Sequence, residues 1–186
     1  MNRNGFTLIE LVVVIVILGI IAVTAAPRFL NVQNDARNAA LEGLKGAIHA
    51  GLSVGYGKMA VAGLESVAYI TNKATDDGNY KAESIPIPGC EKGGAERCIF
   101  RYGYPESDFY TLTTLVDGIN KHYYQDKDWG ITRIDNDNAL IITEKNNLDY
   151  AAQQRPPLMI RDNCYIRYQH PESANAGYTL EIIPCE

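Results

Sequence analysis

The sequence predicts an α+β protein, with a long, kinked N-terminal helix packed on an antiparallel β-sheet. Three observations carry that expectation: an unbroken apolar segment near the N-terminus, an amphipathic helical pattern that continues it, and paired alternating stretches flanked by turn residues downstream. With 186 residues, more than a hundred of them beyond the N-terminal helix, one globular domain with a core of its own is expected.

The apolar segment comes first. From Phe6 to Ala26 there are 21 residues, and only Thr7, Glu10 and Thr24 interrupt the hydrocarbon side chains. A helix of that length rises about 31 Å, enough to cross a hydrocarbon core of about 30 Å. Glu10 does not suit a simple anchor: an ionisable carboxylate inside such a segment needs a partner and is a functional candidate. Gly19 and Pro27 weaken helix continuity, and Pro27 lacks the N–H that would bond four residues back, so the helix should kink there.

Beyond Arg28 the helix becomes amphipathic. Leu30, Leu41, Leu44, Ile48 and Leu52 recur at helical spacing, with Gln33, Asp35, Arg37, Glu42, Lys45 and His49 at other positions. Gly43, Gly46, Gly51, Gly55 and Gly57 each cost about 1 kcal/mol relative to alanine, which suggests that each is in close contact with something. The helix should fade between Gly55 and Gly63.

The remainder reads as short strands. Ser66 to Thr71 is a weak strand, and a turn follows at Asp76-Asp77-Gly78. Ile85-Pro86-Ile87-Pro88 cannot be a central strand, because two prolines remove ladder donors. Cys98 to Tyr104 alternates as a strand, and Leu112 to His122 has the spacing of a short helix. Trp129 to Ile134 pairs with Ala139 to Thr143 across Asp135-Asn136-Asp137-Asn138, and Cys164 to Tyr168 pairs with Tyr178 to Ile183.

Four cysteines follow the apolar segment, an even number with no CxxC pair and no zinc spacing. Three pairings are arithmetically open; the reading adopted joins Cys90 to Cys98 and Cys164 to Cys185, since each closes a short local loop. The net charge is −5, and −6 without Arg3, with no basic cluster, so no nucleic-acid partner is expected.

No catalytic, metal or cofactor site is expected. His49, His122 and His170 form no HExxH pair and read as surface residues, and there is no P-loop, GxGxxG or GxSxG. Asp135 to Asn138 lacks the EF-hand pattern and reads as a plain turn. Twelve tyrosines could offer flat faces to sugars, but half-buried packing is the simpler reading, and no carbohydrate site is assigned.

The stretch Gly5-Phe6-Thr7-Leu8-Ile9-Glu10, preceded by Arg3 and followed by the apolar run, resembles the processing signal of type IV pilins. Over about the first 48 residues, through LVVVIVILGIIAVTAAPRFLNVQNDARNAALEGLKGAI, the likeness is greatest to type IVa major pilins of mannose-sensitive haemagglutinin pili. The resemblance implies a type IV pilin fold divided into a leader at 1–5, a transmembrane and filament-core half-helix at 6–27, an amphipathic half-helix at 28–63 and a β-rich head at 64–186. It implies cleavage after Gly5 by a prepilin peptidase and N-methylation of Phe6. Glu10 would then meet the free amine of Phe6 in a neighbouring copy, and Gly19 and Pro27 would mark where the helix melts during packing. The Cys164 to Cys185 span would enclose the exposed, variable region of the fibre.

The function so implied is structural. Copies of the chain, held in the inner membrane as precursors and handled by the assembly machinery, polymerise into an extracellular helical filament for attachment, with motility as a further candidate role. Surface glycans or abiotic surfaces are candidate partners of the fibre. Two alternatives share parts of this signal. A type II secretion pseudopilin has the same N-terminal motif. A soluble exported protein with a signal peptide would be cut after Val23-Thr24-Ala25, but the apolar run is too long for it and contains Glu10.

Overall fold

The computed structural model describes residues 7–74, 82–122, 124–134, 138–151 and 156–186, and of 26–31 the backbone only. The first element is a single helix, α1, over Leu8–Val61. Its 54 residues span about 81 Å. The helical assignment continues through Gly19 and Pro27; the side chain of Pro27 lies outside the described residues. Gly63 ends the helix by adopting φ +69°, which lets the Leu64 N–H reach the Met59 carbonyl.

One face of the second half of α1 is buried against the head. Leu41, Leu44, Ile48 and Leu52 enter the main core with Leu112, Val116 and Ile119 and the inner face of a four-stranded antiparallel sheet. That sheet comprises β4 (Trp129–Thr132), β5 (Leu140–Glu144), β8 (Tyr165–Gln169) and β9 (Thr179–Ile183), in the order β4-β5-β8-β9. Its register lines up Ile131, Ile142, Ile166 and Ile182 in one row across all four strands, and Leu140, Tyr168 and Leu180 in a neighbouring row. Side chains two apart along a strand share a face, so both rows turn toward the helix.

Strand β5 is buried on both faces rather than on one. An excursion between β5 and β8, carrying β6 (Leu148–Asp149) paired with β7 (Leu158–Met159), closes over the outer side. There Leu148 and Tyr150 crowd Gly130, where a Cβ would lie 2.5 Å from each side chain.

A second core holds Met59, Ile70, Ile85, Ile87 and Phe100 around the Cys90–Cys98 disulfide. Three very short strands belong to it: β1 (Ile70–Thr71), β2 (Ile99–Arg101) and β3 (Tyr104–Pro105). Ile85 and Ile87 bury their side chains from a turning segment outside any ladder, where the Ile87 N–H bonds the Ile85 carbonyl and the Cys90 N–H the Ile87 carbonyl.

Four local expectations are corrected. The strand expected over Ser66 to Thr71 shrinks to its last two residues. Cys98 to Tyr104 is a tight hairpin instead of one strand, because Tyr102 (φ 49°) and Gly103 (φ 82°) both adopt left-handed geometry between the partners Arg101 and Tyr104. The close approach of the Tyr56 ring, 2.7 Å from where a Gly103 Cβ would lie, also requires glycine there.

The helix expected over Leu112 to His122 is only a 3-10 turn, Leu112–Thr114. Thr113 and Thr114 hydroxyls bond back to the carbonyls of Tyr110 and Thr111, and Gly118 turns the chain at φ 87° so that Ile119 bridges to Trp129. Apolar spacing was real there, since Leu112, Val116 and Ile119 are all buried, but it arises from a compact loop.

The glycines of α1 also divide. A Cβ at Gly51 would lie 2.8 Å from the Leu115 carbonyl oxygen and one at Gly55 2.7 Å from the Leu115 side chain, whereas a Cβ at Gly43, Gly46 or Gly57 would meet nothing within 4 Å. Alanine at Gly43 or Gly46 is therefore expected to stabilise the free subunit by about 1 kcal/mol. Alanine at Gly51 should destabilise it by about 1 kcal/mol or more, as overpacking against backbone outweighs the gain in helix propensity. Urea unfolding of the three variants in detergent would read these opposite signs.

Turns at Asp76-Asp77-Gly78 and at Asp135-Asn136-Asp137 lie outside the described residues, as does Tyr123.

Candidate functional site

The functional end is the exposed first half of α1. Thr7 is the N-cap, in an extended conformation, and Glu10 is the third helical residue. The Thr7 hydroxyl accepts from the Glu10 N–H at 3.4 Å, while the Glu10 carboxylate accepts from the Thr7 N–H at 2.8 Å and its hydroxyl at 2.7 Å. This reciprocal capping box satisfies two donors that a helix start otherwise leaves unpaired. The carboxylate is thereby aimed back along the chain toward the residues that precede the helix. Gly5 and Phe6, the expected cleavage and methylation residues, lie outside the described residues.

From Leu8 to Ala25 runs an 18-residue span long and apolar enough to cross a membrane, none of it buried within the chain. Leu8 is 80% exposed and Val23 76%. So large a contiguous apolar surface is not stable in water and must be covered by lipid or by other protein. Thr24 adds no polar demand, because its hydroxyl bonds to the Ile20 and Ile21 carbonyls of its own helix. Gly19 opens onto empty space.

At the other end, the head is tied to the helix. Cys164 and Cys185 are bonded, at a sequence separation of 21, and enclose β8 and β9. Asn38 of α1 donates to the Cys185 carbonyl at 3.3 Å and accepts from the Cys185 N–H at 2.7 Å, so the disulfide is clamped to the helix by both backbone groups. Tyr178, at the opposite end of β9 from Cys185, bonds His49 of α1 at 2.7 Å through its hydroxyl. Tyr104 continues the contact, stacking on Tyr56 of α1 at 4.8 Å between ring centroids and meeting Tyr178 at 5.0 Å with its ring tilted by 58°. The enclosed hairpin is therefore oriented by α1.

Sequence reasoning missed the asparagines. Besides Asn38, the buried Asn72, Asn120 and Asn147 each hold a loop by several backbone bonds: Asn72 grips Glu91, Glu96 and Cys98; Asn120 grips Lys127 and Trp129; Asn147 grips Arg161 and Asn163. An amide can donate and accept at once, which suits it to loops without a ladder. No sequence signal sets them apart: each has a polar or charged neighbour, as ordinary turn residues do.

Two of the histidines also differ from the surface reading. His122 packs between the rings of Phe109 and Tyr110, at 5.3 and 5.4 Å. His170 is half-buried and its Nδ1 accepts from the Ser107 N–H at 3.1 Å, an arrangement only the neutral ring can make. Burial first, and the nearby Arg101 second, lower its pKa from the ordinary 6.5, with Glu106 and Glu172 opposing and Arg133 reinforcing. The unfolded chain then binds the proton at higher pH than the folded one. Stability contributed by His170 is present above the ordinary pKa and is lost as pH falls through the window below it. Unfolding titrations should show this slope as pH falls below the ordinary histidine range, and His170→Gln should flatten it.

Compared with known proteins, residues 1–26 match the family described as the prokaryotic N-terminal methylation motif. The chain is also similar to the type IV narrow pilus major component PilA5 of Thermus thermophilus, 39% identical over 54 residues. Those residues are 29% of this chain and 47% of that relative, so the match spans about half the relative's length. No solved structure matches at a significant level. The matched motif covers the capping box and the exposed apolar span. The α+β architecture, an apolar N-terminal helix continued into a long helix under antiparallel sheets, is pilin-like.

Proposed function

We propose that this chain is a type IV pilin-like structural subunit that polymerises through α1 into a surface fibre for attachment. The observation that carries the reading is the joining of two surfaces on one helix: a fully exposed apolar half bearing a single carboxylate, and an amphipathic half bonded into a folded head. Lipid solvates the first half before assembly, and the helices of neighbouring copies replace it afterwards. The match to the methylation motif over residues 1–26 supports cleavage after Gly5 and methylation of Phe6.

Further support comes from the outer face of the second half. Ala36, Ala39, Gly43, Ala47, Ala50 and Gly57 are all exposed and recur at helical spacing. Small side chains let helix backbones approach closely. In the filament, Glu10 meets the amine of Phe6 in an adjacent copy, and Gly19 and Pro27 let the helix open during packing. Likeness to pilins of mannose-sensitive haemagglutinin pili, over the first 48 residues, favours a pilus over a periplasmic pseudopilus; motility remains a secondary role of such a fibre.

Mass spectrometry of the N-terminal peptide from sheared surface fibres tests this. A chain beginning at N-methylated Phe6 outside the cell is the expected result. The same modified chain confined to the periplasm, with its loss blocking protein secretion, would assign the pseudopilin instead, and a mature start near Ala26 would remove both.

A further inference from the structure

On the head, away from α1, a groove of about 680 Å³ opens between the Cys90–Cys98 loop and the segment that leads into β4. Its walls carry four cations, Lys73, Arg97, Lys121 and Lys127, in a chain whose net charge is −5. Glu96 and Asp126 are the carboxylates among them, and Tyr110 and Tyr124 supply the aromatic faces. Sequence alone shows no basic cluster, because these residues are contributed by three separate segments.

Both walls are held rigid. Asn72, fully buried, fastens the disulfide loop through the Glu91 and Glu96 carbonyls and the Cys98 N–H. Asn120, equally buried, fastens the opposite segment through the carbonyls of Lys127 and Trp129 and the Lys127 N–H. Across the groove, Lys121 is paired with Glu96, and Lys73 donates to the Ala95 carbonyl at 3.3 Å. The positions of Lys121 and Lys73 are thus set before any ligand arrives, which reduces the ordering cost of binding.

We propose that this groove binds an acidic oligosaccharide of the uronic-acid kind. An exposed guanidinium at Arg97 matches a sugar carboxylate in bidentate geometry. The apolar C–H faces of sugar rings suit Tyr110 and Tyr124, and the volume lies in the usual range of small-ligand sites, about 300–1,000 Å³. Glu96 and Asp126 separate it from the main competing class through hydrogen bonding: they accept from sugar hydroxyls, donors that the phosphates of a nucleic acid lack. Lys121 is paired with Glu96 and Lys127 lies 3.9 Å from Asp117, which leaves Lys73 and Arg97 as the cations that favour an acidic over a neutral sugar. The binding belongs to the folded head and does not depend on the chain polymerising.

Isothermal titration of the full-length chain in neutral detergent with hexagalacturonate is the test, with maltohexaose and oligothymidylate as the neutral and phosphate probes. Saturable hexagalacturonate binding that weakens with salt is expected, with no maltohexaose binding. Arg97→Glu and Tyr124→Ala, both at exposed side chains, should each weaken it by about tenfold, or 1.4 kcal/mol, with an unchanged circular dichroism spectrum. Absence of saturation, equal binding by both variants, or tighter binding of oligothymidylate would each overturn the assignment.

Discussion

Glu10→Gln is expected to abolish fibre assembly while leaving membrane insertion and the folded head unchanged. Glutamine at the third helical position can still accept from the Thr7 N–H, so the capping box survives. What is lost is the charge, and with it the attraction to a neighbouring amine in a low-dielectric setting where such a pair is strongest. Glu10→Ala removes the cap as well and should be no better. Counting sheared fibres by electron microscopy, with membrane fractionation as the control for insertion, separates the two roles. Normal fibres from Glu10→Gln would mean that Glu10 serves only to start the helix.

Breaking the Cys164–Cys185 bond should produce the largest loss of stability in the head. In the chain-entropy model a loop of about 20 residues is worth about 3 kcal/mol, against about 2.5 kcal/mol for the shorter Cys90–Cys98 loop. The double variant Cys164→Ala/Cys185→Ala avoids placing new polar groups at two buried positions. Strand β9 lies at the sheet edge, held by β8 on one side, by the disulfide, and by Asn38 of the helix. Without the bond, hydrogen exchange should accelerate first in β9, and the urea midpoint should fall. A uniform change across all four strands would show that the bond acts on the unfolded chain alone.

The sequence and the structure divide the fold according to the range of the interactions involved. The length of α1, its apolar first half and the buried face of its second half are visible in the sequence because a helix satisfies its own backbone and repeats every 3.6 residues. The two disulfides were legible because each closes locally, and the hairpins because their turn residues lie beside them. The apolar positions of 112–119 were recognised and their conformation was not: spacing cannot distinguish a helix from a loop that is closed by threonine hydroxyls and a left-handed Gly118. Likewise the burial of both faces of β5 depends on an excursion that carries no strong pattern of its own.

By itself, then, the chain's order of residues determined the exposed helix, its lone carboxylate and the match to the methylation motif around it, all of which are continuous in sequence. Only the tertiary structure decided which glycines touch a neighbour, which asparagines hold the loops, and that four scattered cations share one groove with two tyrosines. The reason is that such contacts join residues from separate segments, and no local periodicity encodes which loop will meet which.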